Sequence, residues 1–457
     1  MNRKRLVGMG IVVCICLGII IAGNRMEGKE ESVIKDKNGK IVAKLLYQNG
    51  DMQYQCKDKY NAYVDITCKD LIKIVMNKED ISEKNAKKKI ATKRMTITTA
   101  LDEATLDDIC KGHDETQNIR GDKFAALISN NEGKIIACYS EGKETENYVD
   151  KSTYAGSTIK PLSVYAPGIE RKRITWSSMF EDGPYMKVED LDGNMIDWPQ
   201  NTKAYTNQMI TVEQALKESN NAIAVKVLKE CGVNESCRFL DNDLKLDVEK
   251  EQKIMKKSGE DSILSDIALG YLKNGITMRE LQSNYLMFGN SGRKYSLYTI
   301  EKVKANDREY YKHTKEPGKK VISEETAYIM NRLLKEVVSE DGTGKEAQIK
   351  NVEVCGKTGT SRNYKDNWFV GLTPEYTCSV WYEEREPEAY IKNEAPVAFH
   401  NIMKKMKIDT QKKYSINENV VKLQYCKKTG LIANSHCAET AEGYYNENNV
   451  PDACTCE

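Results

Sequence analysis

The chain has 457 residues and a net charge of +1, so no general attraction to nucleic acid is implied. That length allows about three average domains, or one large domain with appendages. The composition is that of an ordinary globular protein except near the start of the chain.

Arg3, Lys4 and Arg5 precede an uncharged apolar run over residues 6–23. A run of about 18 residues is just long enough to cross a bilayer as a helix. The basic cluster stays on the cytoplasmic side, which places the later residues outside the cell membrane. The run exceeds the apolar core of a cleaved signal, and Ile21-Ala-Gly23 offers no Ala-x-Ala site. Residues 1–23 therefore read as a cytoplasmic stub and a retained single-pass transmembrane anchor. Residues 24–95 are lysine-rich and polar and read as a small stalk module or a spacer. Within them, Asn49-Gly50 predicts a hairpin of residues 40–47 and 52–55. A short helix over 70–76 and a basic stretch over 84–93 come next.

Further on, Asp102 caps a predicted short helix that ends near Lys111. Residues 124–128 and 135–139 form a second hairpin, apolar enough for burial on both faces. Ser157 opens a helix that runs to about residue 170. Thr211 caps a helix over 212–218, and an apolar helix over 221–231 stops at Gly232. Ser323 caps a long amphipathic helix over 324–340. Strands over 352–359, 367–372 and 377–383 come after it, then a helix over 395–406. This order predicts a mixed α/β (α+β) architecture, one antiparallel sheet of about five strands flanked by helices. The unit spans residues 96–420, and residues 421–457 form a cysteine-containing tail.

Two of the 14 cysteines lie in the apolar run. Disulfides are permitted outside the cytoplasm, although spacing alone does not fix their pairing. Cys426, Cys437, Cys454 and Cys456 in the tail are the best candidates. The tail has no Cys-x-x-Cys pair and one nearby histidine, His436, so disulfides are expected there ahead of zinc, and no metal is assigned. Cys355 and Cys378 read as buried free thiols.

Three short words stand in order: Ser157-Thr-Ile-Lys160, Ser219-Asn-Asn221 and Lys357-Thr-Gly-Thr360. A serine hydroxyl is a poor nucleophile until a base takes its proton. Residues three apart share a helix face, so Lys160 can meet Ser157. Lysine acts as a base only when neutral, which needs burial or a nearby cation such as Lys357. Each word alone is weak, because Ser32-Val-Ile-Lys35, Ser129-Asn-Asn131, Ser415-Ile-Asn417 and Lys428-Thr-Gly430 repeat them. Context separates the copies. Gly156 and Pro161 flank the first word, Glu218 precedes the second after an amphipathic helix, and Asp366-Asn-Trp-Phe-Val-Gly371 comes after the third.

With Asp197-Trp-Pro-Gln-Asn201, Ala268-Leu-Gly270 and Gly342-Thr-Gly344, the chain from about residue 95 on resembles the transpeptidase domain of class A penicillin-binding proteins. The resemblance implies the penicillin-binding transpeptidase fold, shared with serine β-lactamases. It implies a D,D-transpeptidase that cross-links peptidoglycan stem peptides through a serine acyl-enzyme and is a target of β-lactams. Ser157 is then the nucleophile and Lys160 the general base. Ser219 passes a proton to the leaving amine, with Ser219 and Lys357 as a second choice of base. Asn221 holds the substrate amide, and Lys357, Thr358 and Thr360 suit its terminal carboxylate. Gly359 lets the substrate backbone approach, and the N–H groups of Ser157 and Thr360 face the oxyanion. No cofactor is implied.

The class carries a glycosyltransferase domain between anchor and transpeptidase, and residues 24–95 are too short for one. A separate glycan polymerase in the membrane is therefore an expected partner. Rival readings are a D,D-carboxypeptidase, a serine β-lactamase, a β-lactam sensor and a non-catalytic cell-wall scaffold. A β-lactamase needs a deacylating glutamate, but neither Glu181 nor Glu189 sits in the Glu-x-x-Leu-Asn pattern.

Overall fold

Asn49 and Gly50 adopt φ of 53° and 83°, the backbone that a tight hairpin turn demands. They join β2 (Ile41–Gln48) to β3 (Asp51–Cys56) in the predicted register region. β1 (Ser32–Lys35) pairs antiparallel with β2 and parallel with β4 (Met95–Thr99). The computed structural model describes residues 31–456 apart from 117, 118, 120, 122, 143–145, 191, 362, 363 and 385–391. The expected anchor at residues 1–23 lies outside these. Among the described residues, no helix is long and apolar enough to cross a membrane.

The short helix expected at 70–76 is α1 (Asn61–Glu79), and the basic stretch lies in α2 (Glu83–Thr92). Tyr63, Thr67, Leu71 and Val75 recur every fourth residue and are all fully buried. The charged residues between them masked this stripe in the sequence. Strands Ile300–Ala305 and Arg308–Lys312 complete the sheet, in the order 308–312, 300–305, β4, β1, β2, β3. The module expected over residues 24–95 is thus closed by two strands from far along the chain.

α1 fastens this sheet to the rest. Tyr63 Oη donates to the Ile135 carbonyl at 3.0 Å, and Arg279 reaches Asp70 at 2.8 Å. Asp70 also accepts from the Thr299 hydroxyl at 2.9 Å.

α3 (Glu103–Asp114) starts at Asp102, whose side chain accepts from the Ala104 N–H, as predicted. β5 (Lys123–Asn130) and β6 (Ile135–Glu141) form the second hairpin, and Phe124 through Ile128 are fully buried or nearly so. They extend a five-stranded sheet in the order Cys355–Thr360, Asp366–Leu372, Tyr376–Glu383, β5, β6, antiparallel throughout. Strand Cys355–Thr360 is an edge. Helix Ala395–Met403 packs on α3 and on the sheet, and helix Glu324–Val337 packs on the edge strand. Ser323 caps the latter through the Thr326 N–H. In the tail, strand Val420–Cys426 pairs with Thr440–Asn446.

The Arg279–Asp70 pair is mostly out of water, with side chains 15% and 14% exposed. Removing one partner of such a pair leaves a desolvated charge behind. Arg279→Ala should therefore lower the unfolding free energy by about 3 kcal/mol, near the lower end for a buried pair, in urea denaturation. A change under about 0.5 kcal/mol would show that this clamp does not join the two sheets.

Candidate active site

The segment from Gly156 to Glu170 is helical throughout but changes pitch. Its first turn, Gly156–Ile159, is tight, and the Lys160 N–H bonds back to the Ser157 carbonyl three residues earlier. The turn Pro161–Tyr165 is wider, and Ala166–Glu170 is an ordinary helical turn. The sequence predicted one uniform helix here. At three residues per turn, residues i and i+3 eclipse, so Lys160 stands in line with Ser157.

Close backbone packing fixes this turn. Gly156 has φ of +52°, and a Cβ there would lie 2.5 Å from the Thr360 carbonyl oxygen. A Cβ on Gly359 would lie 2.6 Å from the Ala155 carbonyl and 2.7 Å from Thr158 Cγ2. The glycine of the third word is thus required for seating the Ser157 turn on the edge strand. The sequence pointed to substrate approach alone.

The second word sits between two helices. Thr211 caps helix Val212–Lys217 through the Gln214 N–H, and Asn220 caps Asn221–Cys231 through the Ile223 N–H. Ser219 between them has φ of +59°, a strained conformation for a residue with a Cβ. This turns its carbonyl and its hydroxyl toward two different lysines. Lys160 Nζ donates to Ser219 O at 2.8 Å and to Asn221 Oδ1 at 2.6 Å, with Asn220 O at 3.3 Å. Lys357 Nζ donates to Ser219 Oγ at 2.8 Å and to Thr358 O at 3.0 Å.

Both lysines are fully buried, while Ser157 is half-buried. Burial pushes the Lys160 amine well below its ordinary range, and the nearby Lys357 charge adds to this. Burial alone takes Lys357 down to about 7. Among the described residues, no side-chain hydrogen bond joins Ser157 to either lysine, and the shared tight turn, closed by the Lys160 N–H on the Ser157 carbonyl, is what sets Ser157 beside Lys160.

Further residues brace the site. Asp182 is buried and accepts from Asn220 Nδ2 at 2.7 Å, Asn201 Nδ2 at 2.9 Å, and both the N–H and hydroxyl of Thr206 at 2.9 Å. Burial would raise its pKa, but these hydrogen bonds hold it below the ordinary value. Asn201 Oδ1 in turn accepts from the N–H groups of Asn221 and Ala222. Thr343 accepts from Thr358 Oγ1 at 3.0 Å. Asn393 Nδ2 donates to the Gly359 carbonyl at 2.9 Å and lies 3.4 Å from Thr360 Oγ1. Asn201 and Thr343 lie in segments that carry the family resemblance, where the sequence assigned them no role of their own. Asp182 and Asn393 belong to no word and carried no sequence signal.

The repeated words lie elsewhere in the fold. Ser32 is buried, and its hydroxyl donates to Ile90 O and accepts from the Met95 N–H. Ser129 is buried in β5 and accepts from Gln282. Glu181 and Glu189 are exposed.

Residues 123–404 match the model of the penicillin binding protein transpeptidase domain. Penicillin-binding protein 1A of Clostridium botulinum is 34% identical over 232 residues, half of this chain and 27% of that protein. Penicillin-binding protein 4 of Bacillus subtilis is 32% identical over 269 residues, 58% of this chain and 40% of that protein. The chain therefore spans well under half the length of these relatives. The solved D,D-transpeptidase domain of a peptidoglycan glycosyltransferase from Eggerthella lenta superposes with a TM-score of 0.62 at 18% identity. That likeness covers 83% of this chain and 98% of that domain, and it shows the mixed α/β fold.

Asp182 touches neither lysine, yet it anchors the loop that carries Ser219 and Asn221. Asp182→Ala should slow acylation by a fluorescent penicillin by about 10²-fold, the cost of a small misplacement of reacting groups. An unchanged acylation rate in a variant that still melts cooperatively would remove Asp182 from the site.

Proposed function

The chain belongs to the penicillin-binding protein transpeptidase family, and on that premise we propose that it cross-links peptidoglycan stem peptides through an acyl-enzyme on Ser157. The observation that carries this reading is the meeting of Lys160 and Lys357 on Ser219. A neutral amine has two N–H donors. The two short contacts, to Ser219 O and Asn221 Oδ1, take both when the amine is neutral, leaving Asn220 O at 3.3 Å without a proton and the lone pair to act as a base.

In this reading, Lys160 takes the Ser157 proton as Oγ attacks the penultimate D-alanine carbonyl of a D-Ala-D-Ala stem. The oxyanion forms against the Ser157 N–H at the start of the helical segment and the Thr360 N–H on the edge strand. Ser219 Oγ delivers a proton to the leaving D-alanine amine, and Asn221 holds the substrate amide. Lys357, Thr358 and Thr360 bind the terminal carboxylate, for which a cation at the end of a hydrogen-bonded strand is suited. An amine from a second stem then attacks the acyl ester and gives its proton to Ser219 Oγ, whose own proton left with the first D-alanine, while Lys160 returns the proton it holds to Ser157 Oγ and frees the serine.

β-Lactams, as carboxylated amides, would acylate the same serine. No glutamate in the β-lactamase pattern is found, and Glu181 and Glu189 are exposed, which favours slow deacylation. We also place the domain outside the cell membrane, anchored by residues 1–23 and working beside a separate glycan polymerase. Membrane fractionation before and after deletion of residues 1–23 tests the anchor.

A fluorescent penicillin should label the full chain stably, and Ser157→Ala should abolish the label. Lys160→Ala should slow labelling by about 10²–10⁴-fold, the usual yield of general-base catalysis. A label that is lost within one turnover time would indicate hydrolysis and overturn the transpeptidase reading.

The pH dependence has a defined sign. The carboxylate clamp needs Lys357 protonated, which is the case below about 7. The base needs Lys160 neutral, which holds above its lowered pKa. The second-order acylation rate should therefore rise from acid pH, peak, and fall as pH passes about 7. A rate that stays flat well into the alkaline range would remove Lys357 from carboxylate binding.

A further inference from the structure

The tail cysteines are not paired as the sequence suggested. All twelve described cysteines are free. The sulfurs of Cys426, Cys437, Cys454 and Cys456 nevertheless lie within 4.8 Å of one another. The Cys454–Cys456 and Cys426–Cys456 separations are 3.2 and 3.9 Å. A disulfide needs about 2.05 Å. A tetrahedral zinc ion with Zn–S bonds of about 2.3 Å separates its sulfurs by about 3.8 Å. Two disulfides would join the sulfurs in pairs and would not require all four to surround one point.

We propose that Cys426, Cys437, Cys454 and Cys456 hold one zinc ion as a structural four-thiolate site. Four soft sulfur donors in a closed set match a tetrahedral soft metal and leave no open position for catalysis. The surroundings suit thiolates. The Asn434 N–H points at Cys437 Sγ at 3.3 Å, and the Thr429 hydroxyl lies 3.2 Å from Cys454 Sγ. Asn434 Nδ2 also binds the carbonyls of Cys454 and Cys456 at 2.8 and 3.0 Å, fixing the last two ligands relative to the loop.

The need for such a staple is visible in the core. Between residues 420 and 456, the buried side chains are Tyr425, Cys426, Tyr445 and Cys454, two of them ligands. A two-stranded hairpin with so little apolar burial is marginal in water. Beyond the ligands, backbone bridges from Ile432 hold residues 452–454. The hairpin docks on the body where the Ser177 hydroxyl donates to Gly430 O at 2.6 Å and accepts from Tyr445 Oη at 2.9 Å. Zinc binding is then the folding energy of the tail and sets where the tail sits.

The sequence argued against zinc because the ligands are not spaced as paired Cys-x-x-Cys. Here the chain supplies Cys426 from a strand end, Cys437 from the next loop and Cys454 with Cys456 from beyond the second strand, so the pairing is spatial.

The test is the metal content of the full chain, purified with its thiols protected. Elemental analysis should give about one zinc per chain, and exchange with cobalt(II) should produce a thiolate-to-cobalt charge-transfer band. The double variant Cys454→Ser, Cys456→Ser should retain at least about tenfold less zinc. It should still label with fluorescent penicillin at Ser157, which separates loss of the metal from failure of the catalytic domain to fold. Should the variant not fold, chelation of the wild-type chain should expose residues 420–456 to protease while labelling persists. Two intact disulfides among these cysteines, four free thiols without metal, or iron in place of zinc would each overturn the proposal.

Discussion

Lys160 and Lys357 reach Ser219 from two different elements, one at its carbonyl and one at its hydroxyl. Both amines are fully buried, and two buried cations this close cannot both keep their protons at ordinary cost. The fold therefore divides the two: burial lowers both amines, and at Lys160 the neighbouring Lys357 charge adds to it. The remainder of the site serves this division. The tight first turn sets Ser157 in line with the depressed amine, the strained backbone of Ser219 presents two acceptors, and Asp182 with Asn201 keeps that backbone from relaxing.

The three words come from separate parts of the chain, and small residues allow them to meet. Gly156 packs on the Thr360 carbonyl, and a Cβ on Gly270 would lie 2.2 Å from the Gly156 carbonyl. The edge strand, the Ser157 turn and the loop after helix Leu264–Leu269 thus share one backbone-to-backbone seam. Side chains in that seam would push the Ser157 turn off the edge strand by about the width of a methyl group, enough to misplace Ser157 in the cleft.

Much of this was legible in the sequence because its signals are local. Asn49-Gly50, Asp102, Thr211 and Ser323 marked turns and caps that depend on neighbouring residues alone. The three words marked Ser157, both lysines and the Ser219 loop, which the fold brings to one place. What was missed depends on distant contacts. Asp182 acts through hydrogen bonds to residues 19 to 38 positions away, and no spacing rule announces such a partner. The pitch change after Ser157 is fixed by packing on the edge strand, which helix periodicity does not encode. α1 outruns its predicted length because its charged lysines and aspartates concealed a stripe that becomes clear only once the sheet covers it.

The six-stranded sheet has a consequence for what counts as a unit of this protein. Strand Ile300–Ala305 lies within the matched family segment, yet its neighbour β4, residues 95–99, lies before that segment begins. A fragment trimmed to residues 123–404 would bare the backbone N–H and carbonyl groups of that strand along one side. Such an unpaired edge is a template for joining other chains. During synthesis, the early strands likewise wait for some two hundred residues before their last partners emerge, a long loop to close in chain entropy. The residues ahead of the catalytic region are in this sense a built-in guard against self-association, and they need to be inherited with it.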